Sequence, residues 1–73
     1  MIKTLLQQLE DWFADHDYLA VERTLGGLPV DKFLPRMWEI YVHTLLRLAR
    51  DNGHDTARYS RALNCMHYMM DEQ

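Results

Sequence analysis

Apolar residues return every three or four positions through the first stretch of the chain. Ile2, Leu5, Leu6, Leu9, Trp12 and Phe13 fall on one side, and Lys3, Gln7, Gln8, Glu10 and Asp11 on the other. That spacing marks an amphipathic helix, predicted over 2–15. Asp15-His16-Asp17 then breaks the pattern and supplies a carboxylate that can accept from the N–H groups of a following first turn, so a second helix is predicted over 18–25. Gly26-Gly27 stops it, since glycine enters the left-handed conformation that closes helices at little steric cost. The next seven residues, Leu28 to Leu34, form a linker with apolar anchors in which Pro29 or Asp31 can start a single turn.

Pro35 suits the first turn of a third and longest helix, predicted over 35–51, where Met37, Trp38, Tyr41, Val42, Leu45, Leu46, Leu48 and Ala49 cover half the circumference. A face that broad needs two neighbouring helices, or one neighbour and a partner. Asn52-Gly53 makes the next turn, and Asp55 or Thr56 caps a fourth helix reaching 71, with Tyr59, Ala62, Leu63, Met66, Met69 and Met70 along one face. The expected fold is therefore all-α: a small four-helix domain over 1–73 made of two helix hairpins, packed as an irregular or orthogonal bundle. The two halves share no repeating residue pattern, and the tetratricopeptide signature is absent.

Size sharpens this picture. A core serving only 73 residues buries little surface, and the usual reinforcements are missing, because Cys65 is the sole cysteine and cannot form an internal disulfide. Eight aromatic residues and five methionines are hard to bury at once in so small an interior, so some are expected at a binding surface. Tryptophan, tyrosine and arginine dominate protein-binding hot spots, which nominates Trp38 with Arg36 and Tyr41. The stripe Tyr59, Met66, Met69 and Met70 is a second partner-binding candidate, its plain alternative being core packed on the third helix.

The net charge of −3 conceals a division. Residues 1–34 hold Lys3, Arg23 and Lys32 against six carboxylates, whereas residues 35–61 hold five arginines against Glu39, Asp51 and Asp55. An acidic chain is repelled by nucleic acid at long range, so any such binding has to come from the arginine-bearing start of the fourth helix, with Arg58, Arg61 and Asn64 as contacts. Arg36, Arg47 and Arg50 can add phosphate contacts only if they share a face with Arg58 and Arg61. The acidic cluster around Asp11 and Asp15 reads as a solvated rim able to steer a basic partner.

Catalytic and cofactor chemistry finds no local support. Cys65 and His67 lie two residues apart, which sends their side chains to well-separated sides of a helix. No His-x-x-x-His or Glu-x-x-His pair occurs, nor a phosphate-cradling glycine loop, so no metal, cofactor or enzymatic activity is expected from this chain alone. The early Glu10 and Asp11 argue against a signal peptide, and no apolar run approaches the ~20 residues of a membrane span; with one thiol, a cytoplasmic location is expected. The leading functional expectation is a protein-binding module, an adaptor, co-chaperone or inhibitor presenting an apolar face to another protein or to a second copy. The alternative is a small nucleic-acid-binding regulator using the fourth helix.

Overall fold

Thr4 sets where the first helix begins. In the computed structural model of the chain, which describes residues 2–71, Thr4 Oγ1 accepts from the Gln7 N–H at 3.1 Å and Gln7 Oε1 accepts from the Thr4 N–H at 3.0 Å. This reciprocal cap satisfies two donors that have no partner inside a helix. It starts α1 at Leu5–Ala14, later than the 2–15 read from apolar spacing alone.

The helix closes at His16, whose φ of 61° is left-handed, and the Asp17 N–H reaches back to the Trp12 carbonyl at 2.8 Å. Asp17 then caps α2, Tyr18–Gly26, accepting from the Ala20 N–H. The expected left-handed glycine closure is not used there: Gly27 has φ −98°, and the end is tightened by right-handed bonds from Gly27 to Thr24 and from Leu28 to Leu25. Pro29, lacking an N–H and disfavouring helix at Leu28, completes the stop. Left-handed residues instead occur at His16, Gly53 and His54.

A 3-10 turn at Val30–Lys32 leads to α3, Pro35–Asp51, with the bounds that Pro35 and Asn52-Gly53 predict. Asp55 accepts from the Ala57 and Arg58 N–H groups and starts α4, Thr56–Asp71. The described residues thus form four helices and no strand.

Helix α3 is the central element. Its backbone meets α1, α2 and α4, while α4 meets α3 alone, and the molecule is a slab of 39 × 29 × 18 Å. Leu9 of α1, Val21 and Leu25 of α2, and Ala62 and Cys65 of α4 converge on Met37, Ile40, Tyr41 and Leu45 of α3. Each fully buried aliphatic side chain here stabilises the fold by about 1.5–3 kcal/mol relative to exposure. No helix among the described residues is long and apolar enough to cross a membrane.

Candidate functional site

The linker and α4 enclose an aromatic groove over α3. Pro29 and Pro35 frame the 3-10 turn, and this fixed path delivers Phe33 onto Trp38, with ring centroids 4.1 Å apart and planes 24° from parallel. From the other side, Tyr68 of α4 stacks on the same indole at 5.3 Å and 13°. Tyr41 tilts against Phe33 at 5.9 Å. The resulting hollow has a volume of about 180 Å³, with Leu28 and Val30 on one rim and Arg61, Asn64 and Tyr68 on the other.

Half of this lining is solvent-facing. Val30 and Tyr68 are about half exposed, as is the neighbouring Leu34, while Arg61 and Asn64 are exposed. Arg61 makes no ion pair among the described residues. The groove therefore joins an apolar floor to a positive charge that also bears on the Tyr41 hydroxyl. Burial pushes the Tyr41 hydroxyl and the Cys65 thiol to higher pKa, against the pull of the Arg61 charge on each. Cys65 is a free thiol packed in the core. Trp38 Nε1 and Thr44 Oγ1 are buried without hydrogen-bond partners among the described residues, each a desolvation cost of about 1–3 kcal/mol to the fold.

The residues nominated from sequence scatter. Trp38 and Tyr41, expected at an exposed hot spot, are only 3% and 5% exposed. They floor the groove because α3 has neighbours on two sides and its broad apolar face is spent inside the molecule. Arg36 is engaged within the chain: its Nε and Nη2 donate to Glu10 at 3.1 and 3.0 Å, and its Nη1 donates to Glu39 at 3.0 Å. The methionine stripe splits, Met66 and Met69 packing half-buried against the core and Met70 standing 70% exposed. Tyr59 is half-buried, its hydroxyl 3.1 Å from His54 Nδ1.

The arginines divide between ion pairs and two separate hollows. Arg58, nominated for nucleic acid, donates to both Glu22 oxygens at 2.6 and 3.0 Å and to Asp55 at 3.1 Å. Those hydrogen bonds hold the Glu22 carboxyl below the usual carboxylate range and raise Arg58. Arg47 donates to Asp51, and with Arg50 it lines a separate hollow that shares no residue with the aromatic groove. Of the nucleic-acid candidates, Arg61 and Asn64 alone reach the groove.

Sequence reasoning missed Phe33 and Tyr68 as site residues. The two prolines bracketing an apolar linker were the available signal for Phe33, whereas Tyr68 lies thirty positions from the indole it covers and nothing local announces it. Among the described residues no three of His, Cys, Asp and Glu gather to hold a metal. No family model, curated protein or solved structure matches the chain.

Proposed function

We propose that the chain is a protein-binding module whose aromatic groove accepts one large apolar side chain from a partner protein, next to a partner carboxylate that pairs with Arg61. The observation that carries this reading is the half-exposed apolar rim of Val30 and Tyr68 around an aromatic floor, with a guanidinium at its edge that makes no ion pair among the described residues. A hollow of 180 Å³ is below the ~300 Å³ of common small-molecule pockets, yet slightly above the ~150 Å³ that accepts a benzene-sized group. It thus suits a single side chain. A desolvated apolar anchor supplies affinity, and the charge beside it supplies orientation and partner choice.

The test is selection of a randomised peptide library on the purified chain, followed by binding measurements with the wild type, Val30→Glu and Arg61→Gln. Both substitutions sit at solvent-facing positions and should leave thermal unfolding unchanged. Selected peptides are expected to share a large apolar residue flanked by Asp or Glu, and each variant is expected to weaken them by about tenfold or more. Absence of any enriched pattern, or indifference to both variants, overturns the reading. Self-association in the ultracentrifuge that Val30→Glu abolishes makes the occupant a second copy. Binding to nucleic acid with a steep salt dependence, weakened by Arg61→Gln, replaces the reading with a regulator of the other class.

A further inference from the structure

A second hollow, of about 370 Å³, lies on the outer side of α3 between the α1–α2 turn and the start of α4. Its floor comes from one helix face: His43, Arg47 and Arg50 stand at positions i, i+4 and i+7, with Leu46 beside them. Its walls are aromatic. Phe13 and Tyr18 meet edge to face at 6.0 Å on one side, and Tyr59 stands on the other.

Each tyrosine wall is pinned by a histidine. Tyr18 Oη lies 2.9 Å from His16 Nδ1, and Tyr59 Oη lies 3.1 Å from His54 Nδ1. Both histidines occupy left-handed turns, at φ 61° and 62°, so the two turns that enter α2 and α4 hold the walls in place. The Arg47 guanidinium sits 5.9 Å from the Tyr18 ring centroid and donates its Nε to Asp51, and its two terminal amino groups make no hydrogen bond among the described residues. Arg50 is exposed and makes no ion pair among the described residues.

We propose that this hollow binds a planar ring bearing a phosphate. The volume falls in the range of small-ligand pockets. Three aromatic walls offer stacking and edge contacts to a ring, and two guanidinium groups with an imidazole approach one region from different points along α3. That arrangement suits the several oxygens of a phosphate better than the two of a carboxylate. Asp51 offsets part of the Arg47 charge, so Arg50 supplies most of the selectivity for an anion.

The experiment is an NMR titration of the whole chain with phenyl phosphate, inorganic phosphate and phenol, read at the Tyr18 and Tyr59 rings and the Arg side-chain N–H signals. Phenyl phosphate is expected to bind at least about tenfold tighter than either fragment compound. Arg50→Gln is expected to weaken it by a similar factor with an unchanged melting point, while Arg61→Gln, in the other groove, leaves it unchanged. Adenosine monophosphate and N-acetyl phosphotyrosine amide then distinguish a free nucleotide from a modified protein side chain as the source, the tighter of the two being the better mimic. Equal affinity for inorganic and phenyl phosphate overturns the ring requirement. No saturable shift at the tyrosines, or equal losses in the Arg50 and Arg61 variants, overturns the site.

Discussion

Arg58 with Glu22 and Arg36 with Glu10 make the same contact in two different settings. Each is a two-pronged guanidinium–carboxylate pair joining helices far apart in sequence, α4 to α2 in one case and α3 to α1 in the other. Each arginine also takes a second carboxylate three residues away, Asp55 or Glu39. They differ in solvent. The Arg58 and Glu22 side chains are 22% and 17% exposed, whereas Arg36 and Glu10 are both 42% exposed. Water screens the second pair and competes for its hydrogen bonds, so equal geometry gives unequal worth. The shielded clamp is also the one ion pair among the described residues that ties α4 to α2, whose backbones do not touch.

The largest expected effect is therefore at the shielded clamp. Glu22→Gln leaves Arg58 half-buried with only Asp55, and should cost about 1–3 kcal/mol. For a domain this small each kcal/mol is about 4–8 °C in melting point, readable by circular dichroism. An unchanged melting point would show that solvent already compensates the pair.

A double-mutant cycle sharpens the contrast. Coupling between Arg58→Ala and Glu22→Ala should clearly exceed that between Arg36→Ala and Glu10→Ala, measured by urea unfolding. Equal couplings would mean that exposure does not decide the difference.

Acid should expose the same asymmetry. The Glu22 carboxyl is lowered by its hydrogen bonds from Arg58, so its stabilising contribution is complete above the ordinary carboxylate value of about 4.3 and is lost as pH falls through the lowered native value. Glu22→Gln should flatten that acid limb of the stability curve, and a variant curve parallel to the wild type would contradict the assignment. Glu10 is shifted in the same direction by Arg36, but its exposure makes the matching change in Glu10→Gln the smaller one. The smallest effect is salt. At about 1 M, where screening acts within ~3 Å, the Arg36–Glu10 coupling should fade while the shielded pair keeps most of its own.

Both clamps were illegible in the sequence for one reason: their members lie 26 and 36 positions apart, and charge patterns along a chain reveal only neighbours three or four apart. What was legible is what depends on local signals. Pro35 and Asn52-Gly53 set the bounds of α3, and Asp17 and Asp55 act as caps. The broad apolar face of α3 was legible as a demand for two neighbours or a partner, and the fold answers it with neighbours, which moves Trp38 and Tyr41 from a surface expectation into the floor of a groove. The Thr4–Gln7 cap was readable from its spacing, yet apolar periodicity continuing through Ile2 masked it. Arg36 looked like a contact residue because arginine is common at protein interfaces, and Arg58 because it lies at the polar start of a helix able to read nucleic acid; only three-dimensional proximity shows both engaged with carboxylates of the chain.

The attachment of α4 to a single neighbouring helix has a consequence in the time domain. Its backbone amides are protected by α3 and a few side-chain ties, so they exchange with solvent through an opening that need not unfold α1 and α2. Because Tyr68 and Arg61 stand on that helix, the groove exists only while the helix is docked. Whatever fills the groove must slow exchange along α4 by the same factor that its binding shifts the docking equilibrium.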